Sequence, residues 1–317
     1  MPSISVAMAT YNGATFLREQ LDSIISQELP AAEIVCVDDG SSDATLDILH
    51  QYSKSSPIPL RIVEHQVNQG VTATFSNALS LVTGDYVALA DQDDVWLPEK
   101  LKKLHQSLEE RQWDAVFSDA NLVDQDRKPL GYRLLANSRL EGAGLKAALE
   151  GNLFSQLLRF NVVTGATLMV RRSVLSRALP IPAEWLHDYW IALVTAATGR
   201  IGLCNAPLIE YRQHGKNQIG MRQGLDREIK SATHKSHAAY LAERDLFRTL
   251  NVRLEDLEVS SEYMNDLGGK IQFLESRYLL REKPLRRLPL VAENILKSRY
   301  FRYGQGLKPL LKDLWLP

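Results

Sequence analysis

Apolar residues along the first 120 positions come in short blocks, and the blocks alternate between two periods. Residues 3–9 (SISVAMA) read as a buried strand, whereas residues 15–27 set Phe16, Leu17, Leu21, Ile24 and Ile25 on one face of a helix. The alternation then repeats. EIVCVDD is a second strand, SSDATLDIL a helix capped near Ser42 or Asp43, and LRIVEH a third strand. A helix over 71–81 follows the Gly70 turn, and a fourth strand covers 85–91. Pro98 opens a helix running to about residue 110, and 115–119 form a fifth strand. Strand, helix, strand at this spacing predicts an α/β architecture: a mainly parallel sheet with helices on both faces, joined by right-handed crossovers.

Further along, residues 131–160 mix Gly142 and Gly144 with short apolar stretches and are expected to form a loop and helix lid. A strand over 164–172, a helix over 188–198 and two strands, GRIGLCN and LIEYR, come next. Beyond Gly220 the period is wholly helical, for example over 238–250 and 256–280, so the chain divides into 1–220 and a helical C-terminal region, 221–317.

With 317 residues, 45% apolar and 24% charged, the composition excludes collagenous, disulfide-stapled and disordered classes. Cys36 and Cys204 sit in apolar runs and are expected to pack as small hydrophobes. No window approaches a membrane span, and no basic leader precedes the first strand, so a cytoplasmic protein is expected. Charge is uneven along the chain. Residues 277–317 hold ten Lys and Arg against three Asp and Glu, a net of +7, which leaves −8 for the first 276 residues of a chain with net charge −1. There PLRRLPLVAENIL and YFRYGQGLKPLLKDLWL interleave cations with Leu, Trp and Tyr, as interfacial helices do. The expected partner is an anionic surface at the inner face of a membrane; the competing reading packs this region on its own protein or on a second copy in a homodimer. Nucleic acid is not expected, because its recognition motifs are missing and the main body is acidic.

Ligands of parallel sheets bind at the carboxyl ends of the strands, and polar clusters stand at three of those ends. They are Thr10-Tyr11-Asn12, Asp38-Asp39-Gly40-Ser41 and Asp91-Gln92-Asp93-Asp94. Three acids in one turn either hold a hard cation such as Mg²⁺ or Mn²⁺, with substrate phosphates completing its shell, or cap the next helix. The Asp38–Asp39 pair reads either as an Asx turn or as a hydrogen-bond acceptor for a base or ribose. Neither GxGxxG nor GxxxxGK[ST] occurs, so a bound pyrophosphate would have to be neutralised by metal. His187-Asp188 opens a helix, where Asp188 is either a cap or a rigidly held general base. Tyr211-Arg212-Gln213-His214 is either a polar loop or the source of a cation for a diphosphate and an imidazole for a metal.

Taken in order, SVAMATYNGATFLREQLDSIISQ, EIVCVDDGSSDATLDIL, NQGVTATFSNAL, TGDYVALADQDDVWLPEKL, HDYWIALV and PLIEYRQHGKN resemble the inverting family 2 glycosyltransferases of GT-A fold, over about residues 3–220. The wording DQDDVW, HDYW and YRQHG is similar to a rhamnosyltransferase-like branch that builds bacterial O-antigen and other cell-surface polysaccharides. The resemblance implies that Thr10, Tyr11 and Asp39 hold a pyrimidine nucleoside, Asp91 the ribose or a metal-bound water, and Asp93 with His214 the Mn²⁺ or Mg²⁺. It also implies that Asp188 is the catalytic base and that Arg212 faces the diphosphate. The donor is then dTDP-rhamnose or a UDP-hexose, and the acceptor a saccharide, lipid-linked. One departure is that Phe75-Ser76-Asn77 stands where the family often has Ala-Arg-Asn. Two rivals are a nucleotidyltransferase, which should carry a Gly- and Lys-rich loop after the first strand, and a non-catalytic sugar-binding scaffold, which should have lost Asp93 or Asp188.

Overall fold

The computed structural model describes residues 2–138, 140–215, 237–282, 287–304 and 306–315. Its elements run β1 (Ile4–Thr10), α1 (Leu17–Ile25), β2 (Glu33–Asp38), α2 (Thr45–Ser55), β3 (Leu60–Glu64), α3 (Val71–Leu81), β4 (Tyr86–Ala90), β5 (Val95–Trp96) and α4 (Lys100–Arg111). There follow β6 (Ala115–Val123), β7 (Pro129–Arg133), α5 (Gly142–Glu150), α6 (Phe154–Leu157), β8 (Leu168–Arg171), α7 (Leu175–Ala178), α8 (His187–Thr198) and β9 (Ile201–Arg212). After these come α9 (His237–Asp256), α10 (Ser261–Glu282), α11 (Arg287–Leu296), α12 (Arg299–Arg302) and α13 (Leu307–Trp315). The chain makes two compact units, Met1–Leu153 with Val162–Gly220, and Phe154–Asn161 with Met221–Pro317. The division expected after residue 220 falls outside the described residues.

The first unit is built on one sheet of order β3-β2-β1-β4-β8-β6-β9-β5, with β7 on β6. The pairs β2–β3, β1–β2 and β1–β4 are parallel, as the strand–helix alternation predicts. Parallel register brings three carboxyl ends to one edge: Thr10 lies opposite Asp38, and Met8 opposite Ala90, the last residue before Asp91. Between β4 and β6, β8 runs antiparallel to both, because it arrives from the long 124–167 excursion rather than from a helical crossover. The core strands are mainly apolar. Ile4, Val6, Met8, Ile34, Val35, Val37, Val87, Leu89, Val116 and Phe117 are all buried, each contributing about 1.5–3 kcal/mol.

Three expectations change. The two strands predicted from GRIGLCN and LIEYR are a single one, β9, paired in parallel with β6. The turn-like Asn205-Ala206-Pro207 is absorbed by a register shift at Ser118 and Asp119, so a bulge stands where the sequence reads as a break. Of the predicted lid over 131–160, the start belongs to the edge strand β7 (129–133), 142–150 form α5, and the end falls in the 154–161 segment of the second unit. Cys204 is half-buried while Cys36 is fully buried, and both are free.

In the second unit α9 and α10 pack along each other over Phe247, Leu250, Leu267, Phe273 and Leu274. The helix predicted from residue 256 starts at Ser261, after a break in which Glu258 takes φ 53°. Among the described residues, no helix is long and apolar enough to cross a membrane.

Candidate active site

At the β1–β2 corner backbone geometry decides which groups stay open. The Thr10 hydroxyl donates to Asp38 Oδ2 at 2.8 Å, and the Ser41 N–H and hydroxyl donate to the same carboxylate at 2.7 and 2.6 Å. Thr10 is thereby buried as part of the corner, and Tyr11, 43% exposed, is the polar ring left facing out. The Gln92 side chain holds Tyr11 by both backbone groups, accepting from its N–H at 2.8 Å and donating to its carbonyl at 3.0 Å. Asp39 is also buried and accepts from the His65 ring at 2.9 Å and from the Gln69 and Gly70 N–H groups at 2.8 and 2.9 Å. Gly70 reaches it with φ 90°, a conformation open to glycine. Burial opposes the Asp39 charge, but these hydrogen bonds outweigh it and hold the carboxyl below its ordinary value.

Beyond β4 the carboxylates crowd together. Burial pushes Asp91 up to about 7, and the charges of Asp93 and Asp188 add to the rise while Lys100 opposes it. Asp94 is 1% exposed, with one oxygen accepting from the Arg212 N–H at 3.1 Å and the other, Oδ2, without a hydrogen bond. Burial, then Asp93 and Asp91, push it well above the carboxylate range. Lys100 is fully buried, donates to the Ala166 carbonyl at 2.7 Å and lies 3.4 Å over the Trp96 ring. Burial pulls its ammonium well below the ordinary value, against the attraction of Asp94 and Asp91. The phenol of Tyr211, raised by burial and then by Asp94, Asp91, Asp93 and Asp188, keeps its proton beside the same group.

Asp188 enters this cluster from the first turn of α8, accepting from the Gly165 N–H at 3.0 Å and its neighbour's N–H at 2.6 Å. Next to it the His187 ring stacks on Phe75 at 4.0 Å with both nitrogens buried and lacking a hydrogen-bond partner. Burial draws its pKa below 6.5.

The end of β9 supplies the remaining groups. His214 Nε2 lies 2.8 Å from Asp93 Oδ2, and its ring packs 4.8 Å from Phe16. Arg212 is 1% exposed, and its guanidinium bonds the Asp93 carbonyl (2.8 Å), the Gln125 carbonyl (2.5 Å) and Glu19 (3.1 Å). Rather than facing outward, Arg212 ties β9 to the Asp93–Asp94 turn and to α1. Asp93 and His214 have the donor chemistry of a divalent-ion site, and the repulsion among their neighbours is what a cation would relieve. Among the described residues no three His, Cys, Asp or Glu side chains are arranged to hold a metal. An ion at this pair would have to complete its shell with phosphate oxygens and water.

The structure thus brings Asp91, Asp93, Asp188, Arg212 and His214 to one edge, with Thr10, Tyr11 and Asp39 on neighbouring strand ends. Sequence reasoning missed Lys100, Gln92 and Glu19. A signal for Lys100 existed, because it shares the buried face of α4 with Leu101, Leu104 and Leu108, where a lysine is out of place.

A family model described as glycosyl transferase family 2 matches residues 5–178. The chain is 35% identical over 213 residues to a Bacillus subtilis protein named as the putative teichuronic acid biosynthesis glycosyltransferase TuaG, covering 67% of this chain and 79% of that one. It is 28% identical over 274 residues to an uncharacterised glycosyltransferase of Nostoc, covering 85% and 77%. In structure it resembles S. aureus TarS in complex with UDP-GlcNAc, with TM-score 0.61, 20% identity, and coverage of 86% of this chain and 72% of that one. It also resembles a mannosyltransferase of Pyrobaculum calidifontis in complex with GDP-Man and Mn²⁺, with TM-score 0.55, 18% identity, and coverage of 99% and 87%. At these identities the structural likeness is one of fold.

Proposed function

The chain belongs to glycosyl transferase family 2 and has the GT-A fold, and from that premise we propose that it transfers a sugar, with inversion, from a pyrimidine nucleoside diphosphate to a saccharide acceptor. One observation carries the reading. Asp188, from the first turn of α8, lies close enough to the turn after β4 to join Asp93 in raising the Asp91 pKa, and His214, from beyond β9, closes on Asp93 at 2.8 Å.

In this reading Asp188 takes the proton of the acceptor hydroxyl while that oxygen attacks the anomeric carbon, and the bond to the diphosphate breaks with its electron pair leaving on the phosphate. The Gly165 and Tyr189 N–H groups hold the carboxylate fixed for that task. Mn²⁺ or Mg²⁺, held by Asp93 and His214, would neutralise the departing diphosphate. Asp91 would face the ribose or, with an ion present, a water of its shell. Tyr11 covers the base, while Asp39 and Thr10 shape the nucleoside pocket. Arg212 acts by positioning the Asp93 turn.

The leading donor is dTDP-rhamnose, from the resemblance in DQDDVW, HDYW and YRQHG; the UDP-GlcNAc held by the TarS neighbour makes a UDP-hexose the competing reading. The name of the TuaG relative supports a product in cell-surface polysaccharide. A lipid-linked acceptor fits the C-terminal region, where exposed Leu288, Leu296, Phe301 and Leu311 alternate with basic residues, as on a surface resting at the inner face of a membrane. The test is a release assay in Mn²⁺ with dTDP-rhamnose and UDP-glucose, each with a lipid-linked saccharide, reading the product anomer by NMR. Release of dTDP with an inverted product is expected. A retained configuration would sink the Asp188 assignment, and release of UDP alone would transfer the reading to a UDP-hexose.

A further inference from the structure

The helical unit contains a cleft of ≈ 320 Å³ lined by Asn265, Gly268 and Gln272 of α10 and by Lys297, Arg299 and Arg302. The lining holds three cations and no carboxylate. Behind them stand two acids: Glu293 accepts from Lys297 at 2.9 Å and Arg299 at 3.2 Å, and Asp266 pairs with Arg302 at 2.7 Å. Arg299 is itself buried, with Asn294 at 3.3 Å and Gln272 as further partners.

Two adjacent glycines in the middle of a 22-residue helix are destabilising relative to alanine and require a reason. Packing supplies one for Gly269, where a Cβ would come within 2.2 Å of the Tyr303 hydroxyl. A Cβ on Gly268 would meet nothing within 4 Å, so packing does not require this glycine, and its bareness leaves the cleft open. The segment that carries the cations is also the one that exposes apolar side chains. Ile295, Leu296 (85% exposed) and Phe301 alternate along the chain with Lys297, Arg299 and Arg302.

The geometry points to a binding site for the terminal phosphate of a membrane lipid, with Lys297, Arg299 and Arg302 on the phosphate oxygens and Leu296 and Phe301 in the acyl boundary. A monoester or diphosphate is preferred over a diester, because it carries more charge and offers more acceptor oxygens to three donors. This inference rests on the membrane association proposed above, and adds to it a headgroup and a place.

The test is co-flotation of the full chain with phosphatidylcholine vesicles containing either phosphatidic acid or phosphatidylglycerol at matched charge, with inorganic pyrophosphate as soluble competitor. Phosphatidic acid vesicles should bind about tenfold more tightly, the effect of one further charge-assisted hydrogen bond. Gly268→Leu, which fills the cleft and favours the helix, should remove that preference while leaving phosphatidylglycerol binding unchanged and without lowering the melting temperature. Arg302→Gln, at the open rim, should weaken it. A preference that survives both variants overturns the cleft and leaves membrane association standing. Absence of binding to any vesicle overturns the membrane reading. If pyrophosphate then still binds and Gly268→Leu blocks it, the anion site stays and its lipid occupant is rejected.

Discussion

In the helical unit Arg277 meets Asp313 through hydrogen bonds of 2.8 and 2.9 Å, Tyr300 adds a third at 3.0 Å, and Lys270 meets Glu243 at 3.1 Å. At the sheet edge Asp91, Asp93, Asp94 and Asp188 instead press on one another, with Lys100 beside them drawn towards its neutral form. Burial works against the Arg277 charge, yet Asp313 reverses the effect and raises its pKa. Opposite charges matched in the interior hold a fold together. Like charges gathered there oppose it, and such a cluster is maintained where a ligand completes it.

The contrast can be broken from either side. Asp188→Asn should lower turnover by about 10²–10⁴-fold, the worth of a positioned base, while nucleotide binding and the melting temperature stay as they are. Equal loss of binding would make Asp188 a structural cap. On the other side, Arg277→Met leaves the Asp313 carboxylate buried without its cation and should destabilise the helical unit by about 3–5 kcal/mol in urea unfolding, without weakening nucleotide binding.

Smaller effects sharpen the comparison. Asp94→Asn keeps an acceptor for the Arg212 N–H and removes a buried acid whose ionisation the folded state opposes, so at pH 8 it should stabilise the protein by roughly 1 kcal/mol, opposite in sign to Arg277→Met. His187 has a folded pKa below 6.5, so the unfolded chain binds the proton first. Its contribution is present above pH 6.5 and is lost as pH falls towards the folded value. The melting temperature should therefore fall more steeply from pH 6.5 to 5 in the wild type than in His187→Gln.

Much of the sheet edge was legible in the sequence, because strands buried on both faces read as continuous apolar runs and the polar turns after them are conspicuous. The helix over 71–81 appears as predicted, since Phe75, Ala78 and Leu79 leave one register for its buried face. β7 was not legible: its residues Pro129–Arg133 alternate between half-buried and exposed at an edge, with too few apolar residues to stand out from a loop. The continuity of β9 was hidden by Pro207, which usually marks an end and here sits at a bulge. Within the site, residue types gave Asp93 and His214 but not their 2.8 Å approach, which depends on β9 returning beside the turn after β4. The buried posture of Arg212 was equally out of reach, for its partners Glu19 and Gln125 are distant in the chain.

The central claim is that the carboxylate cluster is completed by a divalent ion and a nucleoside diphosphate. Calorimetric titration with UDP and dTDP, with and without Mn²⁺, in wild type and Asp93→Ala, tests it most directly. The account predicts binding that requires Mn²⁺ and disappears in Asp93→Ala. Nucleotide binding that is equally tight without metal and in the variant, or no binding of either nucleotide, would contradict it.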